Sequence, residues 1–300
     1  MREIATGLRF PEGPIAMADG SVVLVEIARG TLSRVTPSGQ IEVIAELGGG
    51  PNGAAMGPDG AIYVCNNGGF SWNDANGRLV PSGTPDDYSG GRIERVDLGT
   101  GQVEVLYREC DGLPLNGPND IVFDTAGGMW FTDLGKTYDT YRDTGVIYYA
   151  KADGSAISRQ ITHRETPNGI GLSPDGQTLY FAETVTGRLW AYAIESPGQI
   201  ATGTQASRLL VGLPGYQLFD SLAVDAEGNV CVATLVNGGI TCVSPDGRHV
   251  EHIPTDDPLT TNICFGGADL RTAYITLSSS GRLVAVDWPR AGLPLNFLNR

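Results

Sequence analysis

The chain has 300 residues, 41% of them apolar, enough to build a full core and too many for a disordered segment. Twenty basic residues against 34 acidic ones leave a net charge of −14, so no basic face is offered to nucleic acid or to an anionic membrane surface. Glycine, at 42 residues, is about twice its usual share and points to a turn-rich fold.

Residues 2–9 read as a lone strand. No early apolar stretch resembles a signal peptide or a membrane span, so a cytoplasmic protein is expected. The five cysteines are not in metal or redox spacing and mostly lie in apolar runs. Buried free thiols are expected, although Cys231 and Cys242 can face each other on neighbouring strands.

From Pro11 onward one segment recurs six times: a polar residue, an apolar run, an acidic-Gly turn and a second apolar run. The copies begin at Pro11, Pro51, Pro118, Pro167, Phe219 and Thr261. Glu12, Asn52, Asn119, Asn168 and Asp220 each precede a turn glycine by eight places, and Asn262 holds the same place in the sixth copy. A third strand follows each copy, usually opened by Gly, and a fourth, more polar run follows most of them. Four antiparallel strands repeated six times predict an all-β, six-bladed β-propeller, one domain over 1–300. The last copy ends after its third strand, so the N-terminal strand is expected to close the ring.

The first strand of each propeller blade lines the central channel. The six equivalent positions therefore converge on the axis, and every one carries a side-chain oxygen. Asn also favours turn conformations at strand starts, which accounts for Asn52-Gly53 and Asn168-Gly169 but not for Glu12 and Asp220. Two carboxylates among amides make an all-oxygen donor set suited to a hard divalent cation. Two long connections, Asn66 to Gly90 and Leu134 to Thr144, are expected to overhang this ring. They carry Phe70, Trp72, Arg78 and Tyr88, and Lys136, Tyr138, Tyr141 and Arg142, respectively. Three histidines lack metal spacing, no GxSxG elbow occurs, and the Gly48–Gly53 run opens no helix, so serine-hydrolase and dinucleotide readings find no support.

At PEGP (from Pro11), PNDIVFDTAGGMWFTD (Pro118), PNGIGLSPDG (Pro167) and FDSLAVDAEGN (Phe219) the sequence resembles the SMP-30/gluconolactonase family of six-bladed propellers. The resemblance implies metal ligands at Glu12, Asn168 and Asp220, with Asn119 binding metal or substrate. It also implies a divalent ion, calcium most often, with zinc, manganese or magnesium as alternatives, and hydrolysis of sugar lactones. Gly117 stands where animal sugar lactonases carry Arg, which leaves the sugar open. On this reading Asp220 serves as general base, Asn119 and Asn52 orient the substrate or its oxyanion, and Trp72 and Arg142 contact substrate. The expected partner is a small lactone, with neither nucleic acid nor membrane, and the protein is a monomer or weak homo-oligomer. Organophosphate or aromatic-lactone hydrolysis at the same site, and a binding platform without chemistry, are the alternatives.

Overall fold

The computed structural model describes residues 1–299. Among them there is no helix, hence none long and apolar enough to cross a membrane. Six antiparallel sheets of at least four strands form the blades of a propeller. Their innermost strands are Pro11–Ala16, Pro51–Met56, Pro118–Phe123, Pro167–Leu172, Leu218–Val224 and Thr260–Gly266, the six places where the sequence repeat begins. Successive innermost strands pack on one another around the axis, and the sixth packs on the first.

Closure follows the expected route. Arg2–Ala5 pairs antiparallel with Arg282–Asp287 and supplies the outer strand of blade six. The strand is shorter than the 2–9 expected, because the chain beyond Ala5 turns toward the first blade, held by Leu8 N–H on Gly281 C=O at 3.0 Å.

Strand side chains alternate between the two faces of a blade, and in a ring each face meets a neighbour. Six apolar clusters result, one at each blade–blade interface. Ile15, Val23, Val25, Ile62 and Val64 join blades one and two, and Ala5, Leu8, Val22, Leu24 and Leu283 join blades six and one. Burial of these faces, at roughly 25 cal/mol per Å², is what holds the ring together. Outermost strands show the alternating exposed pattern of a solvated edge, as in Ile41–Glu46 and Val103–Tyr107. All five cysteines are free and buried. Cys231 and Cys242 do sit opposite one another, with their sulfurs 3.4 Å apart.

Beneath the ring positions the channel widens to about 540 Å³, lined by Ile15, Met56, Phe123, Leu172, Val224 and Phe265. The C-terminal segment crosses its far end. Arg290 pairs with the fully buried Asp225 at 2.6 Å, and Leu293, Phe297 and Leu298 each join a different blade interface.

Candidate active site

A register irregularity interrupts each of the six innermost strands at or beside the ring residue, for example between Glu12 and Ile15, Pro51 and Ala54, and Pro118 and Ile121. A bulge re-aims side chains out of the regular alternation. The residue after the ring position then crowds the innermost strand of the next blade, and three copies place glycine there. A Cβ on Gly13 would meet Asn52 O and Ala54 N at 2.7 Å, and one on Gly169 would meet Asp220 O at 2.6 Å. The chain entering the ring is also constrained. Phe10 and Thr166, each two residues before a ring position, adopt left-handed φ of 57° and 50°.

The six sequence-predicted residues are brought together. Glu12, Asn52, Asn119, Asn168 and Asn262 are buried, and Asp220 is partly exposed. Asn262 Nδ2 donates to Glu12 Oε2 at 2.7 Å, joining blades six and one, and Gly13 N–H donates to the same oxygen. Asn168 Nδ2 donates to Asp220 Oδ1 at 2.5 Å and to Thr184 Oγ1 at 3.1 Å. Asn119 Oδ1 is buried without a hydrogen-bond donor among the described residues. A buried carbonyl oxygen left without a partner is costly and needs one.

A third acid was not anticipated. Asp120 takes the post-ring place that Gly13, Gly53 and Gly169 hold in other blades, and it is 93% buried. Its carboxylate accepts from Ile121 N–H at 2.9 Å and from Ile170 N–H at 3.3 Å. The three acids feel one another. Burial pushes Glu12 up to about 7, and burial with the charge of Glu12 pushes Asp120 up to about 8. Burial, then Glu12 and Asp120, raise Asp220 as well. Three carboxylates in one buried throat cannot all ionise without a compensating positive charge.

No Lys or Arg among the described residues hydrogen-bonds any of the three. Among the described residues no group of three or more His, Cys, Asp or Glu side chains stands in metal-holding geometry. A cation here would therefore rest on a mixed set of carboxylates and amide oxygens. Glu12, Asn119, Asn168 and Asp220, with the orphaned Asn119 oxygen, have the hard-donor chemistry for one.

The long connections cover one side of this face. Trp72–Ala75 and Arg78–Pro81 form a hairpin that leans from blade two across blade one to blade six. Trp72 packs on Phe10 with ring centres 5.0 Å apart, and Leu79 N–H donates to Ser279 C=O at 3.0 Å. Lys136, 1% exposed, pins the second loop to the first. Its Nζ donates to Asn67 C=O at 3.0 Å and Gly69 C=O at 2.5 Å and lies 4.4 Å from the centre of the Phe70 ring. Burial lowers this amine to about 8 against the opposing charges of Asp133 and Asp143. Trp72 is thus a half-buried lid residue beside the entry to Glu12. Arg142 is exposed and donates to Thr137 Oγ1 at 3.1 Å, and no hydrogen bond or ion pair joins it to the ring. Blades four and five have only short turns in the equivalent places, so the ring face is open above Asn168 and Asp220.

The SMP-30/gluconolactonase/LRE-like region model matches residues 10–279. A gluconolactonase from Zymomonas mobilis is 26% identical over 92% of this chain and 78% of its own length. A 6-deoxy-6-sulfogluconolactonase from Pseudomonas putida is 33% identical over 58% of this chain and 59% of its own length. Among solved structures, a gluconolactonase from Xanthomonas campestris superposes with a TM-score of 0.76 at 24% identity, covering 96% of this chain and 89% of that one. Regucalcin from Agrobacterium tumefaciens, described as a calcium-binding protein, superposes at 0.75 and 21% identity, covering 100% and 97%. The family match runs from just before Glu12 to just past the second strand of blade six, and so takes in all six ring residues: this chain belongs to the SMP-30/gluconolactonase/LRE-like family.

Proposed function

We propose that this chain hydrolyses lactones at the open ring face, with a divalent cation held by Glu12, Asn119, Asn168 and Asp220. The observation that carries the reading is the convergence of three carboxylates, Glu12 and Asp120 buried and Asp220 partly exposed, with an unpartnered amide oxygen at one throat, and the relatives named gluconolactonase and lactonase support the chemistry. The calcium-binding regucalcin neighbour makes calcium the first ion to test. Bound there, the ion would polarise the lactone carbonyl and acidify a water.

The chain's own groups do the rest. Asp220, the least buried of the three acids, accepts the proton of the attacking water. The water oxygen bonds to the carbonyl carbon, the ring C–O bond breaks, and the departing alkoxide takes the proton that Asp220 had accepted, leaving a hydroxy acid and the carboxylate as it began. Asn52 and Asn119 donate N–H groups to the oxygen on which charge develops. Trp72 and Arg142 are proposed as outer substrate contacts.

The test is pH-stat hydrolysis of δ-lactones by protein stripped with chelator and then resupplied with calcium, zinc, manganese or magnesium. Activity is expected only after resupply. Asp220→Asn is expected to lose at least ~100-fold in kcat while its circular dichroism is unchanged, and Glu12→Gln to lose activity with its cation. A full rate in stripped protein, or in Asp220→Asn, would overturn the proposal.

A further inference from the structure

Three short segments border the open side of the ring face: 184–187 above blade four, 213–217 leading into blade five, and 234–238 above blade five. Their sequences, Thr-Val-Thr-Gly, Leu-Pro-Gly-Tyr-Gln and Thr-Leu-Val-Asn-Gly, hold no charged residue in a chain that carries 54. Each presents a large apolar side chain to water: Val185 is 40% exposed, Tyr216 75% and Val236 47%.

All three lie close to ring residues. Val185 follows Thr184, whose hydroxyl takes the Asn168 amide. Tyr216 stands four residues before Asp220, and its segment packs on the first, where a Cβ on Gly187 would meet Gln217 O at 2.8 Å. Val236 stands two residues beyond Thr234, the strand partner of Phe219.

Val236 is also strained. Its φ is +72°, a conformation a β-branched side chain rarely takes, and it gains little burial in return. Asn or Gly would sit there more comfortably and be better solvated. Strain kept at a solvent-facing apolar residue, beside a candidate site, indicates use rather than folding.

We infer that Val185, Tyr216 and Val236 form an apolar shelf for the part of the substrate that extends away from the ring, so that the preferred lactone carries a neutral alkyl or aryl substituent rather than a polyol. The lid walls off blades six to three, and the substituent leaves over blades four and five. The reaction rests on the hydrolase reading above, but the shelf can be assayed by binding alone.

The experiment compares δ-valerolactone, its 5-pentyl derivative and glucono-δ-lactone as substrates. In parallel, calorimetry measures binding of δ-valerolactam and its 6-pentyl derivative, which do not hydrolyse. Each methylene removed from water strengthens binding by roughly threefold to fourfold. The pentyl group is therefore expected to raise kcat/KM at least ~10-fold, chiefly through KM, and to tighten lactam binding similarly. In the double variant Tyr216→Ser/Val236→Asn the pentyl-to-unsubstituted ratio should fall to within about twofold, while Val236→Asn alone raises the melting temperature by relieving the backbone. A ratio unchanged in the double variant, a wild-type preference for glucono-δ-lactone, or lactams that bind equally or not at all would overturn the shelf. Turnover without a pentyl effect leaves the hydrolase reading standing and the shelf refuted. Pentyl-dependent lactam binding without any turnover does the reverse.

Discussion

Glu12, Asp120 and Asp220 crowd three acids into one throat, where burial raises all three and mutual repulsion adds to it at Asp120 and Asp220. Folding raises Glu12 from its ordinary 4.5 to about 7 and Asp120 from 3.8 to about 8. A carboxyl raised in the folded state binds more protons folded than unfolded, so stability falls as pH climbs through the interval between the two values. In chelator, the melting temperature is therefore expected to drop between pH 5 and pH 8, a loss on the order of a few kcal/mol across the pair. Asp120→Asn should flatten the slope, and added calcium should restore more stability at pH 8 than at pH 5. Scanning calorimetry reads all three, and a melting temperature in chelator that rises from pH 5 to pH 8 would contradict the picture. The ring residues were legible in the sequence because each sits eight places before a turn glycine and so could be aligned without a structure. Asp120 was not, because a regular strand would turn the next residue away from the axis. Only the bulge at that place brings it in.

Elements explain how ring residues reach their places. In four blades the second strand ends in an acid or amide: Glu26, Asn66, Asp133 and Glu183. Each turns back on the chain entering the innermost strand of its own blade. Glu26 accepts Arg9 N–H at 2.8 Å, Asn66 accepts Gly50 N–H at 2.9 Å, Asp133 accepts Asn116 and Gly117 N–H at 2.8 and 2.6 Å, and Glu183 accepts Glu165 N–H at 3.2 Å. Those amides lie two or three residues before Glu12, Asn52, Asn119 and Asn168, so the anchor fixes the approach to the site. The recurring terminal residue was visible in the repeat, but its partner is distant enough in sequence that no local pattern names it. Asp133 also accepts Gly135 N–H at 2.9 Å, three amides in all, two of them buried. Asp133→Ala strands them, and a loss of roughly 3–5 kcal/mol is expected from denaturant titration. Asp133→Asn, which keeps one acceptor oxygen, should recover part of it; equal losses in the two variants would show that the carboxylate is not the anchor. The lid follows the same logic. Its length was legible, but its reach over blade one to Ser279 depends on Trp72 finding Phe10, a contact between residues 62 apart in sequence.

At the scale of the whole molecule, the seam where the ring closes runs beside the site. Glu12 belongs to blade one and Asn262 to blade six, and their 2.7 Å hydrogen bond spans the junction. Ser278 Oγ on Pro11 C=O at 2.6 Å spans it too. Arg2–Ala5, on Arg282–Asp287, completes the last sheet, so a four-residue strand reinforces the same junction that these hydrogen bonds and the apolar cluster of blades six and one close. A covalent seam tests this. Arg2 and Ala285 stand directly opposite each other in the ladder, Arg2 exposed and Ala285 4% exposed, and the five native cysteines are buried, so an Arg2→Cys/Ala285→Cys pair can be oxidised without competition from them. A cross-link closing nearly the whole chain has an entropic upper bound of roughly 5 kcal/mol, with about 2–4 typical of well-fitted bridges. Oxidation should raise the melting temperature and narrow the difference between chelated and calcium-loaded protein, because both cross-link and cation oppose the same opening. If the ring opens elsewhere first, oxidation will leave the melting temperature where it was, and the weak point must then be sought at another blade interface.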